Sequence, residues 1–249
     1  MVRVQVQGQR ECLEHLTVTG KLSYILTQIK LRKNSGGEVA RFCREHFIDV
    51  LTNHVEWAAG DVGKALTETY LQLDTMIDDP SYHDHLSLLK NQPQHQPSED
   101  NKMDVILEKL VSKPDNLVAN PNSSMTFTNS PTRMVNGRQV CNLPDHPIHA
   151  GCTAIVCVIR TNTLTIANAG DSRAVLCRND QAMPLSTDHK PLNDQEMLRI
   201  QQAGGFVNHF GRVNGNLNVS RSIGDLKYKQ AAGITPSKQM ITALPDIMQ

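Results

Sequence analysis

The sequence predicts a mixed fold of α-helices and antiparallel β-strands. In residues 38–77, apolar side chains recur at the three- and four-residue spacing of helices that bury one face. In residues 151–185, short apolar runs alternate with brief polar connections, a pattern typical of an antiparallel meander. A chain of 249 residues is long enough to bury one substantial core. Together these observations predict the α+β class.

Two helices are predicted in the first third of the chain. The first covers residues 38–51 and has its apolar face at Val39, Phe42, Cys43, Phe47, Val50 and Leu51. The second is expected to begin at Asp61, because an aspartate side chain is a good N-cap. Its apolar face consists of Val62, Ala65, Leu66, Tyr70, Leu73, Met76 and Ile77. The pair is expected to cover one face of the fold.

The composition changes over residues 78–147, where eight of the twelve prolines lie among Asn, Ser, Gln and His. Such a segment buries little apolar surface, so we predict a flexible insertion. It contains two histidine pairs with the spacing of metal ligands: His83 with His85, and His146 with His149. In a polar, flexible tract we interpret these side chains as solvated histidines.

The compact part of the chain is predicted to follow, over residues 148–249. Strands are expected at residues 152–159, 164–169, 172–177 and 181–185. The next helix should open with a capping box of Asn193 and Glu196 and close at Gly204. Its inward-facing residues are expected to be Met197, Ile200 and Ala203. Residues 213–216 carry the strongest hairpin signal in the sequence, an Asn-Gly pair beside a valine.

Composition argues against nucleic acid and membranes as partners. The 25 Lys and Arg balance the 25 Asp and Glu, and aromatic residues make up only 4% of the chain. The longest apolar run, residues 154–159, is too short to span a bilayer, and the alternating N-terminus is not typical of a signal peptide. The six cysteines lack zinc or disulfide spacing, which favours buried thiols. We therefore expect a protein of the cytoplasm or the nucleus.

Asp171, a charged residue between the apolar strands predicted at 164–169 and 172–177, is the candidate metal ligand of the sequence. Aspartate is common in turns, so it could cap backbone donors there with Arg173 as its ion partner. Alternatively, its carboxylate could bind a hard cation such as Mg²⁺ or Mn²⁺. One carboxylate does not decide between these interpretations.

Ordered blocks of residues resemble the type 2C family of metal-dependent protein serine/threonine phosphatases. The first block is Ala-Gly-Asp-Ser-Arg at residues 169–173. The others follow at residues 185–191, 196–200, 203–205, 211–215 and 219–225. Residues 36–40 and the helical pair after them are similar to the first two helices of the family. The insertion, and the ending at residues 240–247, are most similar to the gamma-type subgroup.

The resemblance implies a four-layer αββα sandwich, in which two antiparallel sheets pack face to face between helices. It also implies Mg²⁺ or Mn²⁺ as cofactor, with two ions activating a water that attacks phosphoserine or phosphothreonine. In that pattern Asp171 is a ligand of an accessory third ion. Phosphoprotein substrates are the implied partners, and regulatory proteins are a further expectation.

The sequence departs from the family where the principal metal ligands should lie. Residues 32–35, Arg-Lys-Asn-Ser, stand where the family has Phe-Asp-Gly-His, and residues 17–31 contain no Glu-Asp pair. Family blocks expected after residue 247 are also missing, since the sequence ends at Gln249. Asp171 is therefore the one metal ligand that is matched, with no catalytic residue assigned and substrate-binding residues unknown. Asp225 is expected to be a turn carboxylate, and Arg212 and Arg221 are expected to pack or form ion pairs.

We divide the chain accordingly into a divergent N-terminal segment (1–35), a helical pair (36–77), a flexible insertion (78–147) and an incomplete compact domain (148–249). Two hypotheses remain. The first is a protein serine/threonine phosphatase whose chain is truncated and inactive as written. The second is a catalytically dead regulatory or binding module that retains the phosphatase sandwich surface. No glycine-rich phosphate loop follows a strand, which excludes a nucleotide-binding domain.

Overall fold

The computed structural model describes residues 2–6, 23–31, 37–91, 132–135, 138–141, 149–160 and 162–249. Its helices are α1 (Glu38–Asn53), α2 (Val55–Ala59), α3 (Val62–Asp78), α4 (His83–Asn91) and α5 (Asp194–Gln202). The first strands are β1 (Val2–Val6), β2 (Ser23–Leu31), β3 (Thr132–Val135), β4 (Arg138–Cys141) and β5 (Gly151–Arg160). The later strands are β6 (Thr163–Ala169), β7 (Ala174–Arg178), β8 (Gln181–Pro184), β9 (Ile223–Gly224) and β10 (Asp246–Met248).

The strands form antiparallel sheets. A five-stranded sheet has the order β10-β6-β5-β2, and β9 pairs with the beginning of β5. A three-stranded sheet has the order β1-β7-β8, while β3 and β4 pair only with each other in the described residues. The predicted α+β class with antiparallel sheets is confirmed.

Strand β5 is the centre of the fold, and nine of its ten residues are buried. Because successive side chains of a strand point to opposite faces, its two sets of apolar residues enter different cores. Cys152, Ala154, Val156 and Val158 lie in one core with the buried faces of α1, α3 and α4. Ile155, Cys157 and Ile159 lie in another, with residues of the three-stranded sheet. The described residues thus stack as helices, the large sheet and the small sheet.

The predicted helical pair is confirmed as α1 and α3. Asp61 caps α3 as expected, since its carboxylate accepts a hydrogen bond from the backbone N–H of Lys64 at 3.0 Å. Tyr70 is fully buried, and its hydroxyl donates to the carbonyl of Ala167 in β6 at 3.0 Å. Helix α3 is therefore held against the sheet by this hydrogen bond as well as by its buried apolar face.

Helix α4 differs from the prediction, which placed residues 78–147 in a flexible insertion. Leu86 and Leu89, spaced by one helical turn, are buried in the core beside α1. The physical reason is that two leucines on one face are enough to anchor a short helix, whatever the polar composition around them. Residues 92–131, 136–137 and 142–147 of the predicted insertion lie outside the described residues.

The predicted N-terminal segment contributes one strand to each of the two larger sheets. Strand β1 pairs with β7 from Val2 opposite Arg178 to Val6 opposite Ala174. Strand β2 pairs with β5 along its whole length, from Ser23 opposite Arg160 to Leu31 opposite Cys152. The segment is therefore part of the fold in these two stretches.

The compact region agrees with the sequence in most elements. Helix α5 begins after Asn193, and Gly204 follows its end with φ +82°, the left-handed conformation that glycine adopts readily. Asn214 and Gly215 both have positive φ, and the amide and carbonyl groups of Val213 and Leu217 bond reciprocally, as in a tight hairpin. Strand β7 starts at Ala174, two residues later than predicted.

Three cysteines in the described region confirm the expectation of buried thiols. Cys43, Cys152 and Cys157 are free and buried. The sulfur atoms of Cys43 and Cys152 lie 3.9 Å apart between α1 and β5. Burial raises the pKa of Cys157 to about 12, which makes it an unreactive core residue. None of the helices in the described part of the chain is long and apolar enough to cross a membrane.

Candidate functional site

Gly170 shapes the bend that presents Asp171 between β6 and β7. Its φ of +126° is unfavourable for residues with a side chain. A Cβ atom at this position would lie 2.3 Å from Cγ2 of Thr153 on the neighbouring strand. The group that approaches Gly170 closely is therefore the side chain of Thr153.

The carboxylate of Asp171 lies beside a lysine. Nζ of Lys190 donates to Oδ2 of Asp171 at 2.5 Å, and the Asp171 side chain is 21% exposed. The expected ion partner, Arg173, instead forms a two-bonded pair with Asp188, at 3.1 Å from both Nε and Nη2. That interpretation was wrong because the loop after β8 brings Asp188 into the fork of the guanidinium, a geometry that favours arginine.

His189 joins this bend to strand β10. The buried imidazole accepts a hydrogen bond on Nδ1 from the backbone N–H of Gly170 at 3.1 Å. The ring proton therefore lies on Nε2, which donates to Oδ2 of Asp246 at 3.0 Å. His189 lies in the family-like block of residues 185–191, but no local pattern indicated its role. Its role is to hold the Gly170 bend against β10.

Glu196 lies in a buried ion network and does not form the predicted capping box. Its Oε1 atom accepts hydrogen bonds from Nη2 and Nε of Arg221 at 2.8 and 3.1 Å. Arg199 donates to the same carboxylate at 2.9 Å, and the hydroxyl of Ser220 also donates to it. Asn193 makes no side-chain cap and instead donates to the carbonyl of Asp188. The prediction failed because two arginines attract the carboxylate more strongly than one backbone amide.

The network lowers the pKa of both carboxylates that Arg221 touches. Burial alone would raise the pKa of Glu196, but the hydrogen bonds from Arg221 and Arg199 lower it to about 2. The hydrogen bond from His189, and then the charge of Arg221, lower the pKa of Asp246 to about 2. Arg221 therefore acts as an ion-pair residue, as predicted from the sequence.

Asp225 is confirmed as a turn carboxylate. It is buried with a left-handed φ of +53°, and its side chain accepts a hydrogen bond from the hydroxyl of Ser222. Arg212 donates to the carbonyl of Asn216 at 2.7 Å within the hairpin, as expected of a packing residue.

Asp74 is a half-buried carboxylate that no sequence pattern indicated. It lies on α3 and accepts hydrogen bonds from Nζ of Lys229 at 2.6 Å and from the backbone N–H of Gly224 at 2.7 Å. Burial raises its pKa, while Lys229 opposes that rise. Asp74 and Lys229 are 155 positions apart, and neither lies in a local pattern that would indicate the pair. The contact connects the helical layer to the loop that carries Asp225.

The residues that the structure describes do not fit the two-ion centre that the family implies. Such a centre needs several carboxylates converging on hard divalent ions, each of which takes six or more oxygen ligands. Among the described residues, the group of three or more metal-ligating side chains close enough to share one ion is Glu45, His46 and His85, far along the chain from Asp171. Asp171 itself already faces the ammonium group of Lys190.

The residues immediately before α1 supply no substitute ligand. Residues 32–35 are Arg, Lys, Asn and Ser, so this position carries two cationic side chains in place of an aspartate and a histidine. Asp171 is therefore the one family-like metal ligand that the sequence offers here. Its role as a metal ligand stays a prediction.

The arrangement of helices and antiparallel sheets is that of known phosphatase structures. The crystal structure of a phosphatase from a pathogenic strain of Toxoplasma gondii matches with a TM-score of 0.54 and 20% sequence identity, covering 90% of this chain and 63% of that chain. A Caenorhabditis elegans sex determining protein matches with a TM-score of 0.54 and 16% identity, covering 100% and 47% respectively. At these identities the likeness concerns the fold alone.

The sequence comparisons define the family. The family model described as protein phosphatase 2C matches residues 83–249. A probable protein phosphatase 2C 3 of Paramecium tetraurelia is 36% identical over 214 residues, which are 86% of this chain and 54% of the relative. A probable protein phosphatase 2C 11 of Oryza sativa subsp. japonica is 37% identical over 215 residues, again 86% and 54%. The chain belongs to the protein phosphatase 2C family.

The family assignment made from the sequence blocks is thus confirmed, while the gamma-type subgroup stays a prediction. The chain spans about half the length of the curated relatives it matches. Their activity is accordingly carried to this chain only as a proposal.

Proposed function

We propose that this chain is a phosphatase-fold module that does not hydrolyse phosphoproteins with its own residues. The observation that carries the proposal is the surroundings of Asp171. Its carboxylate is paired with Lys190 at 2.5 Å, and in the described residues it belongs to no group of three or more metal-ligating side chains. A single carboxylate beside an ammonium group attracts a divalent cation weakly, because the lysine already supplies the opposite charge. Phosphoryl transfer of this kind requires metal ions held in position, and Asp171 alone does not hold them.

Such a module would act by binding other proteins. Strand β5 is buried on both faces of the large sheet, and hydrogen bonds from Tyr70 and to Asp74 attach that sheet to α3, so the fold is held together without a metal pair. Regulatory proteins or phosphoproteins recognised by the relatives are the partners we propose. Cytoplasm and nucleus are the proposed locations, in line with the thiols expected of a reducing compartment.

The second candidate function is an active Mg²⁺- or Mn²⁺-dependent phosphatase acting on phosphoserine and phosphothreonine. It is favoured by the relatives at 36–37% identity, whose names are those of phosphatases. In that case, carboxylates outside the described residues, such as Glu11 and Glu14, would have to complete a site with Asp171.

A phosphate-release assay separates the two functions. Purified chain is incubated with a phosphoserine peptide and millimolar Mn²⁺, alongside Asp171→Ala and the exposed-carboxylate control Asp194→Asn. We expect all three proteins to release phosphate at the background rate of the buffer. Turnover by the wild type and by Asp194→Asn that disappears in Asp171→Ala would overturn the proposal and establish the phosphatase.

A further inference from the structure

We propose that Glu45, His46 and His85 form a metal site between α1 and α4, and that the ion it binds best is Zn²⁺. Glu45 and His46 are consecutive residues of α1, and His85 lies on α4. One ligand atom from each of the three side chains lies within 4.8 Å of the others. The site is separate from the Asp171 bend and does not depend on the proposed function.

The distance between the two imidazoles suits a shared ion. Nε2 of His46 faces Nδ1 of His85 at 3.5 Å. Zinc–nitrogen bonds of about 2.0–2.1 Å in a tetrahedral site place two ligand nitrogens about 3.3–3.4 Å apart. The two ring nitrogens are therefore already separated by nearly the distance that one zinc ion requires. Imidazole nitrogens also favour zinc over magnesium or calcium, which prefer oxygen ligands.

Glu45 sets the tautomer that the ion needs. Nε2 of His85 lies 2.9 Å from Oε2 of Glu45, so the carboxylate accepts a hydrogen bond from this nitrogen. The proton is then held on Nε2, and Nδ1 is left with a lone pair that points toward His46. A carboxylate that orients a histidine in this way is the usual partner of a metal-ligating imidazole.

Aromatic packing holds the two imidazoles in place without an ion. The ring of Phe42 lies 4.3 Å from that of His46 and 5.7 Å from that of His85, measured between centroids. Tyr82 packs edge-on against Phe42 and His46, at 5.4 and 5.9 Å. Because these side chains are restrained in advance, little conformational entropy remains to be lost when an ion binds.

An ion can reach the site from solvent. The side chains of His85 and Glu45 are 38% and 46% exposed, whereas Leu86 and Leu89 on the same helix are buried against α1. Bound zinc would join α4 to α1 at the polar edge of this apolar contact. The consequence for the molecule is that a bound ion would strengthen the attachment of α4, which Leu86 and Leu89 already anchor.

The test is a calorimetric titration of the full chain with zinc chloride near neutral pH, with thermal unfolding measured with and without zinc. We expect one zinc per chain at this site and a higher midpoint of unfolding when zinc is present. His85→Ala and His46→Ala should each abolish that binding event, and Glu45→Ala should weaken it roughly 10- to 100-fold. The exposed His209→Ala variant, which leaves the cluster intact, serves as the matched control.

Circular dichroism of each variant without zinc establishes that it is folded, and His85→Gln replaces His85→Ala if the latter is not. Cobalt titration distinguishes this site from the cysteines, because thiolate ligation gives a charge-transfer band that imidazole and carboxylate ligands do not. The proposal is overturned if the wild type binds no zinc, or if folded His85 and His46 variants bind zinc as the wild type does. A thiolate band in the cobalt spectrum would equally refute it.

Discussion

Replacing Glu196 with glutamine removes the negative charge on which Arg199 and Arg221 converge. The three side chains are only 5%, 11% and 12% exposed, so water cannot replace the lost charge effectively. A pKa lowered from 4.5 to about 2 corresponds to about 3 kcal/mol of folding free energy, at roughly 1.36 kcal/mol per pKa unit. Removing one partner of a buried ion pair typically costs about 3–5 kcal/mol, in agreement with that figure. We therefore expect Glu196→Gln to lower the free energy of unfolding by about 3 kcal/mol.

Urea unfolding at pH 7, followed by circular dichroism and by the fluorescence of the single tryptophan, measures this loss. Asp194→Asn is the matched control, because Asp194 is an exposed carboxylate in the first turn of the same helix. The control should lose less than about 1 kcal/mol, the range of helix-dipole effects. A loss below about 1 kcal/mol in Glu196→Gln, or an equal loss in both variants, would refute the reasoning.

Two further predictions concern stability. Gly170→Ala should lower the free energy of unfolding by more than about 3 kcal/mol, since a Cβ there would lie 2.3 Å from Thr153 in a strained backbone. Gly233→Ala, where the added Cβ meets open space, should lower it by about 1 kcal/mol. Equal losses of the two variants in urea unfolding would contradict this. The free energy of unfolding should also fall as pH drops from about 5 to 2, because Glu196 and Asp246 titrate near 2 when folded and near 4 when unfolded. A pH profile that is flat in this interval, or is unchanged in Glu196→Gln, would contradict it.

Local patterns predicted the elements whose signals lie within a few residues. Asp61 at the start of α3, the buried β5 and the Asn214–Gly215 turn each follow from neighbouring residues alone. The alternation of valines in residues 2–6 is a strand pattern as well, and it could have identified β1. Antiparallel pairing of the meander strands followed from their short connections.

Long-range pairings could not be obtained in the same way. The capping-box pattern at Asn193 and Glu196 is real in sequence, yet Arg221, 25 positions away, takes the carboxylate. The composition around His85 suggested a solvated side chain, whereas the fold places it on α4 next to His46, 39 positions earlier. Side chains that meet across elements depend on packing that periodicity does not encode. The same limit applies to the Asp171 site, where the pairing with Lys190 became apparent only in three dimensions.

Manganese binding tests the central claim, that Asp171 does not anchor a two-ion centre in this chain. The measurement is an Mn²⁺ titration of the chain carrying His46→Ala and His85→Ala, so that the site between α1 and α4 cannot contribute, with and without the further change Asp171→Ala. We predict identical titrations, with no micromolar binding that depends on Asp171. Two ions bound per chain in the presence of Asp171, and lost in its absence, would contradict the account.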